Sequence, residues 1–242
     1  MPAATAAAKE GALEISGLDA WYGESRVLWN VSLSVGRGEV VTLMGRNGAG
    51  RTTALRAIMG LTDSRSGSIK VNGRESISLP SHKIAHLGIG YCPEERGIFA
   101  TLTAHENLTL LPLIAGGEGM SVSELYEMFP NLEERRNSQG TRLSGGEQQM
   151  LAVARILRTG ARVLLLDEIS EGLAPVIVRA LARTISTLKS KGYTIMMVEQ
   201  NFRFAAHLTD HFYVMEHGRI SMNFPASKLQ ENMLALNKAL GV

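Results

Sequence analysis

Residues 40–60 read VVTLMGRNGAGRTTALRAIMG, and no other stretch restricts the fold as tightly. An apolar run at 40–44, suited to a strand covered on both faces, passes into a loop with Gly45, Gly48 and Gly50 and then into a helical pattern from Thr52. The spacing G-x-x-x-x-G-[K/R]-T between a strand and a helix predicts a phosphate-binding loop. Glycines suit that task because bare backbone N–H groups must approach phosphate oxygens closely, where the helix N-terminus adds partial positive charge. Arg46, Asn47, Ala49 and Thr53 complete the stretch that would surround such a ligand, and the Thr52 hydroxyl is placed to reach Mg²⁺. A glycine-rich turn into an ordinary helix is the plainer alternative, which the octet alone does not exclude.

The position usually held by lysine carries Arg51. Lysine is a compact point charge, whereas a guanidinium is a broad planar fork, so attraction for phosphate survives the exchange while placement changes. Because a misplacement of about 1 Å at a reacting centre costs on the order of 100-fold in rate, binding tolerates the exchange better than hydrolysis does.

Beyond the loop, short β-type runs fall at 13–15, 31–35, 68–71, 89–92, 163–166, 194–198 and 212–215, with helical patterns at 52–59, 81–87, 146–157, 176–189 and 202–208. Such alternation predicts an α/β core. The rhythm stops between 104 and 143, where AHENLTLLPLI and SVSELYEMFPNLEERR show helical spacing with acidic first turns, so a helical insert is expected. The glycines of 115–121 read as its connector, residues 226–240 as a terminal amphipathic helix, and the alanine-rich residues 1–12 as a disordered lead-in without the marks of a signal peptide.

Composition narrows the function classes. Twenty-five basic against 23 acidic residues leave a formal charge of +2, too balanced for nucleic-acid binding by bulk electrostatics. The single cysteine, Cys92, permits no internal disulfide and is expected in the core, in a reducing compartment. Apolar runs are far shorter than the roughly 18 residues of a membrane span. His207 and His211 stand at i and i+4 beside Asp210, but no third ligand is evident, and they are read as helix-end surface histidines.

Far downstream, ARVLLLDEIS places Asp167 and Glu168 at the end of an apolar strand. One carboxylate there can hold Mg²⁺ and the next can polarise an attacking water. An acidic cap on a core strand is the plainer account of the pair in isolation. Just ahead, RLSGGEQQM puts Leu143, Ser144, Gly145, Gly146, Glu147 and Gln148 before a helix. In this order after the glycine loop and the insert, the LSGGEQ stretch resembles the signature of the ATP-binding-cassette (ABC) family.

The resemblance runs from about residue 13 to 220. It implies an α/β fold with a P-loop NTPase core of the ABC ATPase type, an antiparallel β subdomain and an inserted α-helical subdomain at about 98–150. The cassette is expected over 13–225 and a C-terminal helix over 226–242. The resemblance assigns Tyr22 to stacking on adenine, Glu168 to catalysis, Asp167 with Thr52 and Glu94 to Mg²⁺, and Ser144, Gly145 and Gly146 to covering the nucleotide of a partner cassette. Glu94 occupies the place of a usual glutamine and Gln200 that of the switch histidine, and both are carried as catalytic-site residues. Glu171, Gly172 and Leu173 fall in the segment that faces the partner.

PEERGIFATLTAHENL, DEISEGLAP and VEQNFRFA are similar to the second ATP-binding subunit of branched-chain amino-acid importers, where glutamine at the switch position is usual. The resemblance therefore implies ATP hydrolysis with Mg²⁺, coupled to amino-acid uptake at the cytoplasmic face of the inner membrane. Its implied partners are a second ATPase subunit, transmembrane permease subunits and, indirectly, a periplasmic solute-binding protein. A urea or amide importer cassette is the near alternative; a nucleotide-gated regulatory subunit with little turnover is the more distant one.

Overall fold

The computed structural model describes residues 11–114 and 118–241. Two sheets carry the fold. In the smaller, β1 (Gly11–Tyr22), β2 (Ser25–Gly36), β4 (Ser64–Val71) and β5 (Arg74–Glu75) run in the order β2-β1-β4-β5, antiparallel throughout. In the larger, β3 (Val40–Gly45), β6 (Ile89–Cys92), β7 (Val163–Asp167), β8 (Thr194–Val198), β9 (His211–Glu216) and β10 (Arg219–Pro225) run in the order β10-β9-β3-β8-β7-β6. Every pairing there is parallel except the edge hairpin β9–β10.

The central strands are apolar because both of their faces are covered. In β7, Val163 and Leu165 join one core with α1 (Arg51–Ile58) and the antiparallel sheet, while Leu164 and Leu166 join the other. In β8, Met196 and Val198 face the first core and Ile195 and Met197 the second. This period-two division is what a buried parallel strand imposes. The second core is closed by α6 (Gly145–Arg158) and α7 (Pro175–Ser190) and continues into the insert. There α3 (Ala104–Thr109), α4 (Val122–Met128) and α5 (Pro130–Glu134) bury Leu108, Leu125, Phe129 and Leu132. The expected helical insert and antiparallel subdomain are thus present. Short α2 (Ser81–Ala85) and α8 (Phe202–Ala206) fill connections, and α9 (Leu229–Leu240) packs Leu236 and Ala239 against β9 and β10.

Several bounds differ from the reading of the sequence. β1 already includes Gly11 and Ala12, inside the expected lead-in, whose other residues lie outside the described ones. Of the glycine connector, 115–117 lie outside them too. β1 and β2 are 12 residues each, far longer than the apolar runs at 13–15 and 31–35. Register shifts between Ile15 and Leu18 and again before Ala20 keep Leu18 and Ala20 buried although Gly17 and Asp19 break the alternation. β10 was not expected, because an edge strand that is mostly uncovered leaves no apolar run to read. His211 opens β9 and bonds Asn223, while His207 follows α8, so the two imidazoles do not share a helix.

Candidate active site

β3 delivers the chain to Gly45, which lies so close to β9 that a Cβ would stand 2.4 Å from the Met215 carbonyl oxygen. Only glycine fits that approach. At the far end of the loop Gly50, with φ of 105°, precedes α1 and offers no side-chain cap to its first turn. The uncapped N-terminus is where a phosphate-binding helix must leave its N–H groups free.

Arg51 is the first residue of α1 and is 5% exposed. Its Nη2 donates to Glu168 Oε1 at 2.7 Å and to Asn47 Oδ1 at 3.2 Å. The side chains of this ion pair are only 4% and 8% exposed. The other terminal nitrogen, Nη1, is buried without a hydrogen-bond partner among the described residues. A buried donor left unsatisfied costs about 1–3 kcal/mol, and this one belongs to a charged group.

Glu168 follows β7 with a left-handed φ of 48° and is held from a second side: Gln200, just past β8, donates from Nε2 to Oε2 at 2.7 Å. Next to it, Asp167 is fully buried. Its Oδ1 accepts from the Thr52 hydroxyl at 3.2 Å and its Oδ2 from the Tyr91 hydroxyl at 3.0 Å. Burial pushes the Asp167 carboxyl up to about 6, against these two hydrogen bonds, which pull it down. Glu94, Glu168 and Glu171 each bring a carboxylate oxygen within 4.8 Å of the others. A hydrogen bond to Glu168, then burial, pushes Glu171 up to about 7. Gathered acids of this kind, with a hydroxyl and Asp167 adjoining, are hard oxygen donors of the type that suits Mg²⁺.

A cleft of about 400 Å³ is lined by Asn47, Gly48, Gly50, Arg51, Thr52, Thr53, Glu94, Glu168, Glu171, Gln200 and Val27. Most of the residues singled out in the sequence therefore meet in one place. Gly45 and Ala49 shape the loop from behind, while the Arg46 guanidinium lies against Gly241 after α9, outside the cleft. Tyr22 ends β1 with the Arg56 guanidinium 6.0 Å from its ring centre, and it is Val27 that lines the cleft. Ser144, Gly145 and Gly146 are not brought to this cleft. Ser144 caps α6 in a reciprocal box with Glu147, and Gly146 sits so near Ile177 that a Cβ would come within 2.9 Å of it. The sequence places Glu171 only in the partner-facing segment and does not single out Tyr91 or Glu199. Of the last two, Glu199 has a readable mark, a carboxylate directly after the apolar run TIMMV.

The sequence profile of the ABC transporter family matches residues 28–171, more than half of the chain and the segment that holds the glycine loop, the signature and Asp167 with Glu168. The chain belongs to that family. It is an ATP-binding cassette, an ATPase, and the structural kinship agrees. The cassette superposes on a nucleotide-free ATP-binding cassette from an ABC transporter with a TM-score of 0.81 at 23% identity, covering 95% of this chain and 97% of the other. A second solved structure, an ATP-binding subunit of an ABC transporter, gives a TM-score of 0.78 at 28% identity with 95% of each chain covered. Among relatives, the cassette is 39% identical to the high-affinity branched-chain amino acid transport ATP-binding protein BraG of Pseudomonas aeruginosa, over 95% of this chain and 99% of that one. It is 35% identical to a probable branched-chain amino acid transport ATP-binding protein, LivF, of Archaeoglobus fulgidus, over 89% and 92%. The lipopolysaccharide export ATP-binding protein LptB of Haemophilus influenzae is 34% identical, over 82% and 84%.

Proposed function

We propose that this cassette is the ATP-binding subunit of an importer and couples ATP hydrolysis to uptake of branched-chain amino acids. The meeting of the glycine loop, Arg51, Thr52, Glu94, Glu168 and Gln200 in one cleft at an uncapped helix N-terminus supports the chemical part of the reading: free N–H groups and a guanidinium suit phosphate oxygens, and the carboxylates beside them suit its metal. The higher identity and fuller coverage of BraG than of LptB favour amino acids as the cargo.

Arg51, Thr52, Thr53 and the loop amides from Gly45 to Gly50 would bind the triphosphate, and Tyr22 the adenine. Thr52, Asp167 and Glu94 would hold Mg²⁺, which when bound neutralises phosphate charge. Glu168 takes a proton from the attacking water, and Gln200 orients that carboxylate through its Oε2. The Ser144 loop completes the site of a second cassette, because within one chain it lies outside the cleft that the P-loop lines. No helix among the described residues is long and apolar enough to cross a membrane. On this reading the transport path belongs to permease subunits, served by a periplasmic solute-binding protein, with this cassette at the cytoplasmic face of the inner membrane.

Two arms test the reading. Glu168→Gln keeps the shape of the side chain and removes its charge, so nucleotide binding persists while phosphate release falls by at least about 100-fold, the scale expected for a general base. Unchanged turnover removes Glu168 from the mechanism. Reconstituted in vesicles with the permease that co-purifies with it, the cassette supports ATP-dependent uptake of labelled leucine, isoleucine or valine; uptake of none of them removes the assignment of cargo.

A further inference from the structure

β8 is buried from Thr194 to Val198, and the next residue, Glu199, is 1% exposed. A carboxylate so placed is costly unless its oxygens are satisfied. Both accept from one residue, Oε1 from the Ser170 backbone N–H at 3.2 Å and Oε2 from the Ser170 hydroxyl at 2.8 Å, and the Asn201 backbone N–H also bonds the carboxylate. Ser170 is itself buried and lies in the turn that leaves β7.

That turn carries both Glu168 and Glu171. Its backbone closes through Glu168 N–H to the Val198 carbonyl at 2.9 Å and Glu171 N–H to the Glu168 carbonyl at 3.2 Å. The left-handed φ of Glu168 is a conformation that a residue with a side chain adopts only when its surroundings enforce it. The segment after β8 grips the turn twice, with Gln200 on the Glu168 carboxylate and Glu199 on the backbone two residues later. We propose that Glu199 is a positioning residue for ATP hydrolysis: by clamping Ser170 it fixes the turn that aims Glu168, and it ties that turn to the segment carrying Gln200. The inference rests on Glu168 acting as the base.

The test compares Glu199→Val, Glu199→Gln and Glu168→Gln in the full chain, by steady-state phosphate release and by amide exchange. Valine removes both acceptors without burying a polar group. Glutamine keeps one acceptor for the Ser170 N–H and donates to the hydroxyl, so it is the rescuing variant. A shift on the order of 1 Å in the carboxylate lowers kcat by at least about tenfold in Glu199→Val, with KM for ATP within about threefold of the parent. Glu199→Gln stays near the parent in both. Exchange at 168–171 accelerates in the valine variant and not at 45–53, a readout that needs no turnover. Parental kcat in Glu199→Val, equal damage from valine and glutamine, or faster exchange spread over the whole chain overturns the proposal. Parental turnover in Glu168→Gln instead removes the base, and the aim that Glu199 is argued to set goes with it.

Discussion

Arg51 pairs with Glu168 across 117 residues of sequence, and the pair decides what an arginine does in place of the usual lysine. One terminal nitrogen donates to the carboxylate and to Asn47, while the planar fork holds the other, buried, without a partner among the described residues. Arg51→Ala leaves Glu168 among Glu94 and Glu171 without its cation, so the nucleotide-free chain is expected to lose about 3 kcal/mol in urea melts. Arg51→Ala with Glu168→Ala recovers most of that loss, since the orphaned charge is gone too; a double variant no more stable than Arg51→Ala contradicts a coupled pair. Glu199 adds a pH signature. Burial pushes its carboxyl from 4.5 up to about 7 in the folded chain, against hydrogen bonds from Ser170 and the Asn201 backbone that pull it down, so folding takes up a proton. The associated stability is fully present below pH 4.5 and is lost as pH rises through 7. Relative to Glu199→Gln, the parent should therefore lose about 3 kcal/mol between acid and neutral pH, as read from paired melts at several pH values. Parallel pH profiles for the two proteins contradict it.

At the scale of elements, α6 carries the largest share of the unfinished business. Ser144 accepts from the Glu147 N–H and Glu147 accepts from the Ser144 N–H, so the signature loop is held as a rigid helix start whose own chain gives it no ligand. Ser144→Ala is expected to cost about 1 kcal/mol through the lost cap. Ser144→Arg should spare ATP binding by the isolated chain and abolish the ATP-dependent dimer of the Glu168→Gln protein in light scattering; loss of monomer affinity in step with loss of dimer contradicts a role in trans. The elements that build the active cleft were legible because their physics is local. Buried parallel strands β3, β7 and β8 are continuous apolar runs, and the loop after β3 needs glycine where β9 presses on it. The two long strands β1 and β2 and edge strand β10 were not fully legible, since bulges and exposed faces break the alternation that identifies a strand. Candidate residues were legible by type, whereas the Arg51–Glu168 and Glu199–Ser170 contacts were not, because no local pattern encodes which distant side chain will meet which.

In the whole molecule, the parallel sheet is covered on one side by the core that includes α1 and on the other by the core of α6 and α7 together with the cluster under α9, and the cleft opens where α1 begins and where β7 and β8 end. This is the expected place for a ligand in an open α/β sheet, outside the carboxyl ends of its strands. The insert extends one of those cores, so α3 to α5 pack into the same buried cluster as β7, the strand that ends in Asp167. Everything proposed for the cleft depends on Arg51 gripping ATP. The direct measurement is the Mg-ATP affinity of Arg51→Ala made in the Glu168→Ala background, against Glu168→Ala alone, because neither protein then carries an unpaired Glu168. Binding is expected to be at least about tenfold weaker without Arg51, the equivalent of roughly 1.4 kcal/mol. Equal affinity of the two proteins would contradict it and leave Arg51 a structural partner of Glu168 only.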